Sequence, residues 1–188
     1  MKLRNKNLKI LKSNHVYSEE MEHDACGVGL VASTEGLKSR KVVEYGIDAL
    51  KAVWHRGAID ADGKTGDGAG IHIEIPKDFF EEKIEVTGHK HDNSELCVGM
   101  IFLPRNDYSA QEQCRTIVES ELTKRNFSIY GWRQVPVDPS VLGEKAEQTR
   151  PEITQVLFTY NDKKVVNKSL EQKLYETRRV IEKEALNN

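Results

Sequence analysis

Leu96-Cys97-Val98-Gly99-Met100-Ile101-Phe102-Leu103 runs for eight residues without one charge and is closed by Pro104. The run is short for an ordinary globular helix and reads as a strand buried on both faces. Such a strand needs a covering layer on each side, so the chain must build layers around it. Apolar residues at Ala110, Cys114, Ile117, Val118 and Leu122 predict a helix over 109–124. Strands are expected at 127–137 and 152–160, and a helix at 169–186 with Leu170, Leu174 and Ile181 on one face.

The first half is organised differently. Residues 27–33 read as a strand ended by Thr34-Glu35-Gly36, and 39–54 as a helix with Val42, Val43, Ile47, Leu50 and Val53 in step. A loop rich in glycine and aspartate, 56–70, leads to Ile71-His72-Ile73-Glu74-Ile75, whose alternation marks a half-buried strand stopped by Pro76. A short helix over 78–83 and a polar connection holding His89 and His91 precede the apolar run. Strands both adjacent in sequence and separated by helices predict an α/β (α+β) layered sheet.

Charge narrows the function classes. Of 188 residues 31% are charged, nearly balanced at a formal net charge of -2. Phosphate binding needs concentrated positive charge, so nucleic acid is not the expected partner. No apolar run approaches the roughly 18 residues of a membrane-spanning helix. The N-terminal lysines precede no apolar stretch of signal-peptide type. Cys26, Cys97 and Cys114 are odd in number and form no Cys-x-x-Cys pair, which argues against a disulfide framework or structural zinc. Reduced thiols in the cytoplasm or a plastid stroma are expected.

Cys97 lies in the apolar run and Cys114 on the apolar side of the helix over 109–124, so both read as core thiols. Cys26 lies outside any such pattern. It sits in Asp24-Ala25-Cys26-Gly27-Val28-Gly29, where a charged leader, 1–25, gives way to an apolar stretch. Alone, this hexapeptide fits a buried thiol or an N-terminal nucleophile exposed by cutting after Ala25. The leader is accordingly either removed or retained as a loose terminus.

Two tempting motifs fail. Gly63-Lys64-Thr65 ends like a phosphate loop, but Ala58 stands where its first glycine belongs and a strand follows instead of a helix. Asp60 and Asp62 begin like a calcium loop, but Lys64 and Ile71 occupy ligand positions. His89 and His91 read as solvated, since no carboxylate or thiolate cluster completes a metal shell.

One ordered set remains: Cys26-Gly27-Val28-Gly29, then His55-Arg56-Gly57-Ala58, then Thr65-Gly66-Asp67-Gly68-Ala69-Gly70-Ile71, then Gly131-Trp132-Arg133-Gln134-Val135-Pro136-Val137-Asp138-Pro139. The set resembles class II glutamine amidotransferases, which are N-terminal-nucleophile hydrolases, and most closely the glutaminase domain of glutamate synthase large subunits. The resemblance covers nearly everything after Ala25. It implies a four-layer α-β-β-α sandwich, with 1–25 a leader and 26–188 the first part of an amidotransferase domain. It implies Cys26 as nucleophile, with Gly27, Arg56 and Gly57 lining the active site, and L-glutamine as substrate. Asp67 is given no catalytic role.

In that family the ammonia released passes to 2-oxoglutarate. FMN, an iron–sulfur cluster and NADPH or ferredoxin serve domains beyond the glutaminase, so no cofactor or metal site is expected in these residues. The rest of the large subunit, or a chain supplying it, is the expected partner. The family completes its site with an Asn-Gly oxyanion pair, and no Asn-Gly occurs here. An incomplete domain is therefore expected. Two alternatives stay open: a non-catalytic piece that folds against a partner chain, and a hydrolase of another amide.

Overall fold

The computed structural model describes residues 27–54, 57–91, 94–166 and 168–187. The described residues up to 60, with Gly66–Ile71, form one compact unit, and Ala61–Thr65 with the described residues from 72 onward form a second.

In the first unit, helix α1 (Arg40–Ala52) forms where the apolar spacing predicts it, started at Ser39 and ended at Val53. Val42, Val43, Ile47, Leu50 and Val53 share its half-buried side, and no residue of the helix is fully buried. The expected turn at Thr34-Glu35 is present, closed by the Gly36 amide on the Ser33 carbonyl at 3.2 Å. The strand expected over 27–33 is not formed, and Val28 and Leu30 are each 92% exposed. The strand expected over 71–75 is also not formed, leaving Ile71 and Ile73 exposed. The reason is physical: alternation and β-branching express a preference, whereas a strand exists only where a neighbour takes its N–H and C=O groups.

The second unit carries the sheet. Helix α2 (Lys77–Val86) leads to β1 (Leu96–Leu103), α3 (Tyr108–Lys124) and β2 (Phe127–Gln134). A 3-10 turn (Pro139–Val141) and the short helix α4 (Glu144–Thr149) precede β3 (Glu152–Tyr160) and α5 (Lys168–Asn187). The strands are antiparallel in the order β1-β3-β2, so the last strand in sequence is central. Cys97 faces Phe158 across the ladder, and Met100 faces Gln155.

One face of the sheet packs Cys97, Phe127, Val156 and Phe158 against Val118 and Leu122 of α3 and Leu170 of α5. The Phe127 ring meets the Phe158 and Tyr160 rings edge-on at 5.4 and 5.0 Å, a favoured aromatic geometry. The other face packs Leu96, Tyr130 and Leu157 against Phe80 and Ile84 of α2, with Ile75 and Val98 at the margin. The fold is thus mixed α/β, an antiparallel sheet with helices on both faces.

The strand buried on both faces is β3, from Thr154 to Thr159, and not β1. β1 lies at an edge, and α2 covers only its beginning, so Met100 is 49% and Phe102 64% exposed. Composition marked β1 as central because hydropathy records how apolar a strand is, not how many neighbours cover it.

Local chemistry sets the joints. Asp107 starts α3 by accepting the Ala110 amide at 2.9 Å. Asn126 ends it at a φ of 66°, a conformation asparagine tolerates. β2 stops at Gln134, shorter than the 127–137 expected. Val135 still donates to Ile153 O at 3.0 Å, but Pro136 has no N–H to continue. β2 also carries a bulge, its register stepping from Ile129–Phe158 to Gly131–Leu157. Gly131 takes a φ of 150° there and faces Thr87, whose methyl would lie 2.9 Å from an added Cβ. Thr87 Oγ1 meanwhile donates to the Tyr130 carbonyl at 2.9 Å, tying the end of α2 to the bulge.

Candidate active site

Of the four residues that the family resemblance brings forward, Cys26 and Arg56 lie outside the described residues, as do His55 and the leader, 1–25. Gly27 and Gly57 are described, and both are exposed. Gly57 lies five residues beyond the end of α1 and donates its amide to the Trp54 carbonyl at 3.0 Å.

The loop after Gly57 is closed at its base. Ile59 and Gly66 form an antiparallel bridge. Asp67 Oδ2 accepts the Ala58 amide at 2.8 Å. At Gly66 an added Cβ would sit 3.3 Å from the Ala58 carbonyl, and Gly68 takes a φ of 82°. These glycines therefore make a tight loop, as the sequence suggests. Asp67 clamps that loop.

Residues at the tip of the same loop belong to the second unit. The Asp62 carboxylate accepts four donors: the Lys64 amide at 2.9 Å, the Thr65 amide at 2.7 Å, the Thr65 hydroxyl at 2.5 Å, and the Lys145 amide at the start of α4. The Thr65 hydroxyl, then the Lys64 and Thr65 amides, hold this carboxyl far below the usual carboxylate range. Gly143, which precedes α4, has no room for a side chain. A Cβ would collide with Thr65 Oγ1, Asp62 Oδ2 and the Thr65 amide. α4 itself is pinned by Glu147, which pairs with Arg105 and with Arg150 Nε at 2.8 Å. The residue types here exclude a calcium loop, and the fold uses them as a clamp. The usable signal was the Asp-x-x-Thr spacing, which lets one carboxylate take both the amide and the hydroxyl three residues on.

The remaining predicted residues divide. Cys97 is core, and burial, reinforced by the Glu95 and Glu171 charges, pushes its thiol up to about 12. Cys114 is only half-buried and lies outside the core cluster. His89 is exposed as expected, its Nδ1 3.1 Å from Thr87 Oγ1. His91 is not solvated. Its side chain is 5% exposed, with Nδ1 3.0 Å from Glu81 Oε1 and its ring edge-on to Tyr130. Polarity of the connecting segment concealed that α2 and Tyr130 enclose it.

Residues of the fourth motif make contacts that hold the second unit together. Trp132 Nε1 donates to Glu119 at 2.7 Å, Arg133 bonds Gln155 at 2.6 Å and covers the Phe79 ring, and Asp138 caps the 3-10 turn.

Among the described residues no three His, Cys, Asp or Glu side chains group as ligands. An iron–sulfur cluster needs several converging thiolates, and Cys97 faces a hydrocarbon core. No helix among the described residues is long and apolar enough to cross a membrane.

The family model for class-II glutamine amidotransferases matches residues 26–188, and the chain belongs to that family. The glutamate synthase [NADPH] large chain of Azospirillum brasilense is 53% identical over 177 residues, 94% of this chain and 12% of that protein. The ferredoxin-dependent glutamate synthase of Pyropia yezoensis is 36% identical over 93% of this chain and 11% of its own length. Ferredoxin-dependent glutamate synthase 2, chloroplastic, of Arabidopsis thaliana is 37% identical over 92% of this chain and 11% of its own length. The chain therefore spans 11–12% of the length of these relatives.

Proposed function

We propose that this chain supplies the nucleophile of a glutaminase, with Cys26 attacking the side-chain amide of L-glutamine. The observation that carries the reading is the family match, which starts at Cys26 itself and contains the ordered motifs. Residues 1–25 act as a leader whose removal frees the Cys26 amine, and 26–188 belong to the amidotransferase domain.

The chemistry follows from the position. A free thiol titrates at about 8.5 and an α-amine at about 7.7–8.0, so the two groups of one residue are matched for proton exchange. The amine takes the thiol proton, directly or through water, and the sulfur attacks the amide carbon. The C–N bond then breaks, the proton returns to the leaving nitrogen as ammonia, and a thioester remains. Water hydrolyses it to glutamate and restores the thiol. A retained leader would tie the amine up in a peptide bond and leave the sulfur without its base. Gly27, Arg56 and Gly57 line the site, with the arginine supplying positive charge beside the nucleophile.

At the level of the whole protein we assign the ammonia to glutamate formation from 2-oxoglutarate, in a cytoplasmic or stromal enzyme. FMN, an iron–sulfur cluster and NADPH or ferredoxin then serve regions outside this chain. The rest of the large subunit is the partner. The exposure of Val28 and Leu30 favours one refinement: the segment after Cys26 becomes a strand only when a neighbouring strand is supplied.

N-terminal sequencing of the purified protein, beside the Cys26→Ser variant, tests the reading. The expected result is a mature chain starting at Cys26, with glutamine hydrolysis abolished in the variant. A mature chain that retains Met1, or a serine variant of undiminished activity, would overturn it.

A further inference from the structure

We infer that the open edge of β1 is the docking site for a fourth strand, antiparallel to β1. Its occupant is an extended, largely uncharged segment of the rest of the large subunit. This rests on the reading above only for the partner, since the chain spans 11–12% of the length of its relatives. β1 is eight residues long, carries no charge, proline or bulge, and among the described residues pairs only with β3. Its outward N–H and C=O groups have no strand beside them, on a surface where Met100 and Phe102 are exposed. Natural sheets guard such edges with charge, proline or bulges. The opposite edge is guarded in that way, for β2 has its bulge at Gly131, Arg133 within it and Pro136 just beyond its end. An edge left bare on one side only is an edge that takes a partner.

The connections say which strand it takes. β1 and β2 both run antiparallel to β3, so they are parallel to each other, and α3 crosses from one to the other over β3. Such a crossover is right-handed in nearly every sheet. α5 follows β3 and lies on the same face as α3, both helices contributing to one core cluster. Leu170 of α5 packs with Phe158, near the end of β3, and Leu174 and Ile181 continue along that cluster, so the helix returns over the sheet. β3 points the opposite way to β1. A right-handed step from β3 through α5, on the same face, therefore goes in the opposite lateral direction. It passes over β1 and reaches the open edge. With the short α4 in the β2–β3 connection, β1-α3-β2-β3-α5 are the first five elements of the split β-α-β-β-α-β arrangement. Side chains of the sixth alternate between the two faces, one set beside Ile101 of the α5-covered face and the other beside Met100 and Phe102. Both settings are apolar, and a charged segment does not fit them.

The experiment extends the chain behind α5 with the segment that follows the matched residues in the Azospirillum brasilense large chain, taken to the end of its amidotransferase domain. The unextended chain is the reference, and hydrogen exchange resolved to single amides reads β1. In the unextended chain the β1 amides that point away from β3 should exchange fast, and those bonded to β3 slowly. In the extended chain the outward amides should slow by about 10-fold or more, as amides that must open to exchange do. Met100→Lys and Phe102→Lys should leave the melting temperature of the unextended chain almost unchanged and lower that of the extended chain by several degrees. Outward amides that stay fast in the extended chain would overturn the inference, as would new protection along β2 instead. Outward amides already slow in an unextended chain of dimeric mass would also overturn it, because a second copy would then hold the edge. Inactivation by a diazoketone analogue of glutamine separates this inference from the glutaminase reading. An extended chain that gains β1 protection but does not react overturns the glutaminase reading alone. One that reacts without gaining protection overturns the docking site alone.

Discussion

Asp67 turns its carboxylate back across the glycine loop onto the amide of Ala58, nine residues earlier, with Oδ2 2.8 Å from the nitrogen. An acidic residue inside a motif invites a catalytic role, and here its visible work is to close a loop. Replacing it with alanine should leave global stability within about 1 kcal/mol, as for most exposed sites. The Ala58 amide should lose its protection from hydrogen exchange. Unchanged exchange at Ala58 would mean that the clamp is not formed in solution.

The core should respond to truncation where the sheet is sandwiched. Leu157 is fully buried in β3 beneath Phe80 and Ile84. Leu157→Ala should cost about 2–5 kcal/mol in urea unfolding, the usual range for a buried leucine. Phe102→Ala, on the uncovered half of β1, should cost far less. Equal losses would contradict the edge position of β1.

Gly99 supplies the opposite test. A Cβ there would come within 2.7 Å of Val156 Cγ1 on the neighbouring strand. Gly99→Ala should therefore destabilise by about 1–3 kcal/mol through overpacking. The double variant Gly99→Ala/Val156→Ala should lose less than the sum of the two single losses, a coupling that separate sites would not show.

Glu121 is held below its ordinary value of 4.5 by Lys124 first and Arg125 second. A carboxyl depressed on folding contributes stability above its unfolded pKa and loses it as pH falls through the folded one. Unfolding midpoints should thus fall below pH 4.5, and Glu121→Gln should flatten that part of the curve. A variant with the wild-type slope would show that the pair contributes nothing.

The thiols should also separate. Burial raises the Cys97 thiol to about 12, and thiolate is the reactive form. Iodoacetamide at pH 8 should leave Cys97 unmodified in the folded protein and alkylate it after denaturation. Rapid native labelling would mean that the α3–sheet packing opens readily.

Much of this was legible in the sequence. The helices at Arg40–Ala52, Tyr108–Lys124 and Lys168–Asn187 and the strand Glu152–Tyr160 follow their apolar spacing closely. What spacing could not give was cover. Leu96–Leu103 looks central and lies at an edge, while Thr154, Gln155 and Thr159 look exposed and are buried in the middle strand. Residues 27–33 and 71–75 have strand-like sequences and no ladder, because a partner is a property of the fold and not of the segment. At the site, the motifs led to the Gly57–Gly70 loop but not to its anchor. Gly143 lies 78 positions beyond Thr65, too far for any local pattern to join them. His91 differs from its expectation for a related reason: a polar neighbourhood in sequence is an enclosed one in space.

Peptide mapping after inactivation by the diazoketone analogue tests the central claim most directly. The account predicts a single adduct on Cys26, at the N-terminus of a chain lacking residues 1–25, with Cys97 and Cys114 unlabelled. An adduct on Cys97 or Cys114, or one on Cys26 in a chain that still begins at Met1, would contradict it.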